Sequence, residues 1–207
     1  PTLTLVGATG PGVPVLLLAH NGHIAWGFTT TGGDVQDLVV ERVDPEDPTR
    51  YLTPDGAVPF ETREETIEVR GGEPVTFTVR ETRHGPVISD FDDRAIDFVE
   101  GQDGGDHVLV LSYSGLVDID TTPDAAYRLN RARSWDDFVA AMDLWIAPQQ
   151  NVVYADRDGT IGIFTPGLVP IRRAGNGALP VPGWDDSHGW DGFIPLEELP
   201  QSVNPPE

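Results

Sequence analysis

The chain has 207 residues, enough for one large domain or two small ones with a real core. Its 13 basic and 34 acidic residues give a net charge of −21, which disfavours nucleic-acid binding because such a surface repels phosphate backbones. It has no cysteine, which excludes a disulfide framework and any thiolate metal site.

The first part of the chain reads as strands. Residues 13–19 and 23–29 flank Asn21-Gly22, a dipeptide typical of a two-residue type I′ hairpin turn. Residues 38–43 are expected to continue as a third strand, and Pro45 and Pro48 mark a loop. The apolar run 13–19 is too short to span a bilayer. Residues 3–6 already read as a strand and Pro1 begins no signal-peptide pattern, so we expect a piece of a longer protein.

The middle of the chain predicts a second hairpin and two helices. Alternating strands at 60–70 and 74–82 are joined by Gly71-Gly72, the acidic stretch 90–106 reads as a mobile loop, and 107–114 as a central strand. One helix begins after Thr121 or Thr122, with Pro123 in its first turn. The next opens at Ser134, with Asp137 completing a variant of the capping box.

Residues 151–155 and 160–164 predict a further hairpin, and one short helical turn is expected at 196–199 within a region rich in Pro, Gly and Trp. Strands outnumber helices throughout. The predicted fold class is therefore α+β, dominated by strands.

The candidate catalytic residues are weighed against structural roles. No zinc-type spacing links the five histidines, so structural or surface roles are favoured: His20, His23, His84, His107 and His188. A hydroxyl–histidine–acid triad stays open because triads are spatial, although no Ser lies in a G-x-S-x-G motif. The stretch from Asp156 to Gly159 resembles the opening of a calcium loop but lacks its remaining ligands, which favours a hairpin turn.

A second cation candidate follows Gly32-Gly33. Asp34 and Asp37 supply two carboxylates, and Gln36 between them offers a backbone carbonyl. Such a set suits calcium, a hard cation that prefers oxygen. The alternative is a polar entry into the next strand.

Several segments together resemble the β-chain of the penicillin acylase family, whose members are N-terminal-nucleophile hydrolases. They span nearly the whole chain in the family's order: 6–13 (VGATGPGV), 20–27 (HNGHIAWG), 33–38 (GDVQDL) with Glu41-Arg42, 63–67 (REETI), 83–86 (RHGP), 154–156 (YAD) with Gly159, 179–183 (LPVPG) and Asn204-Pro205. The version at 20–27 is most like the aculeacin and acyl-homoserine-lactone acylase branch.

The resemblance implies roles for residues that spacing does not assign. It implies that the backbone N–H of Thr30 is one donor of the oxyanion hole, where a preorganised donor is worth about 3–4 kcal/mol of barrier. It also implies that Leu18, Phe28 and Gln150 line an acyl pocket.

The resemblance further implies a calcium site. Asp34 and Asp37 would bind through their side chains, Gln36 through its carbonyl, and Ala178 or its neighbour through a further carbonyl. Because other ligands lie outside the sequence, binding is expected to be weak, on the order of 10⁻⁴–10⁻³ M. No organic cofactor is expected.

The family's N-terminal Ser nucleophile, whose α-amine serves as the base, is not in the sequence, and neither is the second oxyanion donor, an Asn beyond Asn204-Pro205. The resemblance thus implies an internal fragment of an amide hydrolase that removes an acyl side chain through an acyl-enzyme. The fragment alone is expected to be inactive. The alternative is a non-catalytic, β-rich binding module that retains the scaffold.

The implied architecture is part of an αββα core with an insertion. Residues 1–48 would supply core strands, 49–120 a β-rich insertion, 121–147 a helical pair, and 148–207 a hairpin and a segment returning to the core. Separated from its parent, the first hairpin is expected to expose an edge that pairs with another copy. The implied partners are an acylated small-molecule amide, such as a penicillin or acyl-homoserine lactone, and the rest of the α and β chains. No membrane partner is expected, and export to the periplasm or beyond is implied.

Overall fold

A computed structural model of the chain describes residues 3–100 and 106–206. Strands dominate it, as the sequence predicts. The described residues form two compact units. Unit 1 lies within Pro1–Asp34, Val117–Pro170 and Phe193–Glu207, and unit 2 within Val35–Leu116 and Ile171–Gly192. In these described ranges no helix has the length and hydrophobicity required to cross a membrane.

Unit 1 is built on one antiparallel sheet of six strands. Their spatial order is β1 (Val6–Ala8), β2 (Leu18–His20), β3 (Ile24–Thr30), β11 (Gln150–Asp156), β12 (Ile161–Phe164) and β16 (Gln201–Val203). Two helices, α2 (Thr122–Leu129) and α3 (Trp135–Met142), bury one face of the sheet, and a 3₁₀ turn spans Leu196–Glu198. The buried face is the core of this unit, formed by Ile24, Trp26, Val152, Tyr154, Leu129, Phe138 and Met142.

The two predicted helices are confirmed, with Pro123 in the first turn of α2. At the start of α3, Ser134 Oγ accepts the N–H of Asp137 at 3.2 Å. The reciprocal bond goes one residue further back, because the Asp137 carboxylate accepts the N–H of Arg133 at 2.9 Å. The motif therefore caps the helix as a variant of the capping box.

Unit 2 contains two further sheets and one helix. The first sheet has the order β10 (His107–Tyr113), β4 (Gln36–Asp44), β5 (Asp47–Thr53), β6 (Gly56–Pro59), with β14 (Val181–Pro182) parallel to β4. The second has the order β7 (Glu61–Ile67), β8 (Val75–Thr82), β9 (Gly85–Pro86). Helix α1 spans Asp93–Glu100, and a ribbon mainly in this unit pairs β13 (Pro170–Arg172) with β15 (Trp190–Phe193).

The side chains of β4 alternate between two clusters. Val39 packs with Val108, Val110, Tyr51 and Phe60 on one face. Val40 packs with Leu109 and Ala95 on the other. A strand buried on both faces has a nearly continuous run of apolar residues, and this run predicts the strand from the sequence.

The third strand, which was expected to continue from the first hairpin, does not pair with it. β4 pairs with β10 along seven residues, whereas the free edge of β3 is taken by β11, also along seven residues. The described chain divides into its two units after Asp34, and residues 171–192 group with unit 2. The division into core strands, insertion and helical pair stays a prediction. Sheet membership depended on partners more than 60 residues away, which local patterns do not encode.

The first hairpin differs from its prediction in two ways. Residues 13–17 form no strand, and the amide of Asn130 bonds both the N–H and the carbonyl of Leu16 at 2.9 Å. The type I′ turn is wrong because only Gly22 has a positive φ, at 82°. Asn21 is instead buried, and its Oδ1 accepts the N–H groups of His23 and Ile24, both at 3.0 Å.

Two other expectations are corrected. The predicted loop 90–106 contains α1 at Asp93–Glu100, while residues 101–105 lie outside the described part of the chain. The first hairpin does not form an edge of the sheet, because β1 flanks β2 and β11 flanks β3. The edge strands are β1 and β16, with three residues each. Pairing with another copy through a strand edge stays a prediction.

Candidate functional site

The end of β3 that carries Thr30 has a strand along only one of its edges. β3 pairs with β11 through all seven of its residues. On the other side it pairs with β2 only at Ala25 and Trp26.

The register determines where the N–H of Thr30 points. The N–H of Arg157 donates to the carbonyl of His23 at 3.1 Å, and bonded and non-bonded pairs alternate along antiparallel strands. Thr30 and Gln150 are consequently a non-hydrogen-bonded pair, so the N–H of Thr30 points away from β11. Continued, the β2–β3 register would place Val15 opposite Thr30, but β2 does not extend that far. The donor is thus directed at a position that neither β2 nor β11 occupies.

The three predicted pocket residues lie on two faces of the sheet. Phe28 projects to the buried face, where its ring meets that of Trp145 edge to face, with centroids 5.3 Å apart. Gln150 projects to the same face in the register of β3 and β11. Leu18 lies on the opposite face beside Gly27, with 44% of its surface exposed. The structure brings Phe28 and Gln150 together and leaves Leu18 apart, so a shared pocket stays a prediction.

The predicted calcium ligand Asp37 is held by three nitrogen donors from two side chains. Arg172 Nε lies 3.0 Å from both carboxylate oxygens, and Nη2 lies 2.8 Å from Oδ1. Trp190 Nε1 donates to Oδ2 at 2.6 Å. The side chain of Asp37 is only 9% exposed. In this arrangement the carboxylate already has charge-assisted partners for both of its oxygens.

The other predicted calcium ligands are divided between the units. Gln36 and Ala178 belong to unit 2 with Asp37, and Asp34 belongs to unit 1. Among residues 3–100 and 106–206, no three His, Asp or Glu side chains are grouped so that they would hold a metal. The donor set at Asp37 therefore does not fit a calcium ion while Arg172 is bound there.

Sequence reasoning missed a second buried acid on β4. Glu41 is fully buried, and its Oε1 lies 2.7 Å from His84 Nδ1. Gly183 packs so closely on this carboxylate that an added Cβ would lie 2.5 Å from Oε2. A signal was present, because all three residues lie in segments that carry the family resemblance. Their positions in the sequence do not show that they meet.

The acid of the β11–β12 turn is used within the turn, as the hairpin prediction expects. Asp156 Oδ1 accepts the N–H groups of Asp158 and Thr160, and Oδ2 accepts the hydroxyl of Tyr154, all at 2.9 Å. Burial acts to raise the pKa of Asp156, but these hydrogen bonds outweigh it and hold the pKa below its usual value. Burial raises the pKa of Tyr154, and the bond to Asp156 raises it further.

One hydroxyl–histidine contact bears on the triad that spacing left open. Ser187 Oγ lies 2.8 Å from His188 Nδ1 in an exposed loop. The same hydroxyl is bonded to the carboxylate of Asp185. The serine thus stands between the acid and the histidine, whereas a catalytic triad needs the histidine in the middle.

The chain is similar to known proteins over its whole length. A family model described as penicillin amidase matches residues 1–207. The chain is 35% identical over 208 residues to the acyl-homoserine lactone acylase QuiP of Pseudomonas fluorescens strain Pf-5, covering all of this chain and 25% of that protein. It is 36% identical over 203 residues to the penicillin acylase 2 proenzyme of Pseudomonas sp. strain SE83, covering 98% of this chain and 25% of the relative.

A solved structure is similar in fold. The thermostable penicillin G acylase from Alcaligenes faecalis superposes with a TM-score of 0.83 at 29% identity, covering 99% of this chain and 35% of that chain. The sequence thus spans about a quarter of the length of the curated relatives named above.

Proposed function

The chain belongs to the penicillin amidase family, and from this premise we propose that it is an internal part of an acylase that hydrolyses a linear amide. The reaction removes an acyl side chain through an acyl-enzyme formed on an N-terminal Ser that this sequence does not contain. The names of the relatives, which are acylases, support this reaction class. On its own the 207-residue chain is inactive, because it lacks the nucleophile.

The direction of the Thr30 N–H carries this proposal. A tetrahedral intermediate needs a donor that is already oriented and not used by another group. The non-hydrogen-bonded pairing with Gln150 turns this N–H away from β11, and β2 ends before reaching it. A backbone donor at the end of a paired strand is held in place by the sheet, and it requires no particular side chain.

The test removes that N–H from the full-length parent enzyme. Thr30→Pro deletes the donor, and since Thr30 donates to neither neighbouring strand the substitution breaks no ladder bond. We expect kcat for an acyl p-nitroanilide to fall about 10²–10³-fold. Thr30→Ala is the matched control, because it keeps the N–H and should retain activity within a few-fold. Thermal unfolding of both variants checks that the fold is preserved.

Equal activity of the Pro and Ala variants, both folded, would overturn the role of Thr30. A reading frame that begins near Pro1, without an upstream Gly-Ser or Gly-Thr processing junction, would overturn the proposal that the chain is part of an acylase. That result would favour the alternative, a non-catalytic binding module.

The partners follow from the same proposal. The substrate is an acylated small-molecule amide of the kind that the relatives' names describe, a penicillin or an acyl-homoserine lactone. The outer face of the unit 1 sheet exposes apolar side chains, at Val6, Leu18, Val153, Ile161 and Ile163. This supports partnership with the remaining acylase chains. We further propose export to the periplasm or beyond.

A further inference from the structure

We propose that the guanidinium of Arg172 takes the place of a divalent cation at Asp37, so that this carboxylate binds no calcium. The family resemblance assigns a calcium ion to Asp37, but its hydrogen bonds assign a permanently charged side chain of the protein itself.

The carboxylate of Asp37 has no acceptor site left for a cation. An ionised carboxylate has about four lone-pair sites. Arg172 makes three contacts of 2.8–3.0 Å with the two oxygens of Asp37, and Trp190 makes a fourth at 2.6 Å. Calcium needs oxygen lone pairs at about 2.3–2.6 Å. To bind Asp37 it must therefore displace Arg172, Trp190 or both.

Both side chains of the Asp37–Arg172 pair are largely buried. The side chains of Asp37 and Arg172 are only 9% and 14% exposed. An arginine remains charged at all ordinary pH values. Displacing it would break a charge pair in which both side chains are largely buried, which is strongly unfavourable.

The hydrogen bonds of Asp37 connect β4 to the β13–β15 ribbon. Asp37 lies near the start of β4, whereas Arg172 and Trp190 lie on the two strands of the β13–β15 ribbon, 135 and 153 residues away in sequence. One carboxylate thus fastens both strands of the ribbon to the start of β4. An arginine does so at any calcium concentration, whereas a weakly bound ion would do so only above about 10⁻⁴–10⁻³ M.

The experiment adds calcium to the chelator-treated 207-residue chain, up to about 10 mM, and follows the side-chain N–H resonances of Arg172 and Trp190 by ¹H–¹⁵N NMR. We expect neither resonance to shift in a saturable way, and the melting temperature to be equal in calcium and in chelator. A saturable shift of either resonance would overturn the proposal. This measurement needs no variant, so it remains decisive if substitutions prevent folding.

Calorimetry with Asp37→Asn separates this carboxylate from the acidic surface. Binding that is absent in both proteins, or equal in both, supports the proposal, because Asp37 is then not a ligand. Calcium binding that is present in the unmodified chain and lost in Asp37→Asn would overturn it.

A matched pair of arginine variants tests whether the charge of Arg172 stabilises the fold as a bound cation would. Arg172→Gln and Arg173→Gln change the net charge equally, but Arg173 bonds Asp191 with side chains 38% and 55% exposed. We expect Arg172→Gln to lower the melting temperature by several degrees and Arg173→Gln to change it by less than about 1 °C. Equal effects in the two variants would count against a special role for Arg172.

Discussion

The two units solve the problem of buried polar groups in different ways. In the described part of unit 1 the buried polar side chains are amides: Asn21, Asn130 and Gln149. In unit 2 they include two acids, Asp37 and Glu41, with Ser89 and Ser114. The amides of unit 1 bond mainly backbone groups outside the strand ladders, whereas the acids of unit 2 meet basic side chains from distant segments.

This difference follows from what each unit has to hold in place. Asn130 supplies partners for Leu16, in a stretch that has no ladder. Asp37 and Glu41 instead join β4 to Arg172 and His84, which come from other elements of unit 2. A neutral amide satisfies backbone groups that lack a ladder partner, and a buried pair of acid and base fixes the positions of separate segments at a higher cost if one partner is lost.

The largest loss of stability is expected when a buried acid of unit 2 loses its basic partner. His84→Leu leaves Glu41 fully buried without its basic partner, which should cost roughly 3–5 kcal/mol of unfolding free energy in urea denaturation. Adding Glu41→Met should restore most of the loss, because an apolar pair then replaces the buried hydrogen-bonded pair of acid and histidine. Arg63→Gln is the surface control: its pair with Glu65 is 58% and 46% exposed, and it should cost less than about 1 kcal/mol. If His84→Leu is as mild as this control, the pair does not hold unit 2 together.

A smaller effect is expected from the amides of unit 1. Asn130→Ala removes the bonds to both backbone groups of Leu16 and one to Ala126 at 3.0 Å, which should cost roughly 2–3 kcal/mol. The cost should be the same at about pH 5 and pH 9, because none of these groups titrates in that range. The control, Asn176→Ala, removes one exposed bond to Ala178 and should be near neutral. A strongly pH-dependent cost for Asn130→Ala would break the contrast between the units.

The smallest effect appears only in alkaline solution and touches both units. Burial raises the folded-state pKa of Tyr154 in unit 1 and of Tyr51 in unit 2 above the usual value of 10.0. Their contribution to stability is thus complete below about pH 10 and is lost as the pH rises through that value toward the folded-state pKa. Tyr154→Phe and Tyr51→Phe should each flatten the fall in unfolding free energy between about pH 9 and pH 11. A slope unchanged in both variants would contradict this assignment.

The sequence predicted those elements whose signals are local. Pro123 and Ser134 marked the helix starts, and the turn at Asp156 is closed by bonds that span no more than four residues. The turn at Asn21 was predicted incorrectly because its amide is used by Ala132, 111 residues away. No local pattern contains that contact.

The same limit applies to the candidate site. The family resemblance implies a role for the N–H of Thr30, and the strand register gives that N–H a direction. It did not reveal Arg172 beside Asp37, because these residues are 135 positions apart in sequence. Backbone roles transfer with a motif, whereas the partner of a buried charge must be found in the folded chain.

The pairing of β3 with β11 also has a consequence for the time course of synthesis. β3 ends at Thr30 and β11 begins at Gln150, so 150 − 30 = 120 residues separate them. At about 5–20 residues per second, a ribosome needs roughly 6–24 s to deliver the partner strand. The β4–β10 pair of unit 2 lies within that interval, between Gln36 and Tyr113. One edge of β3 thus leaves the ribosome before the β4–β10 pair but is completed only after it, and a chaperone that acts on this protein during translation would meet that open edge in the interval.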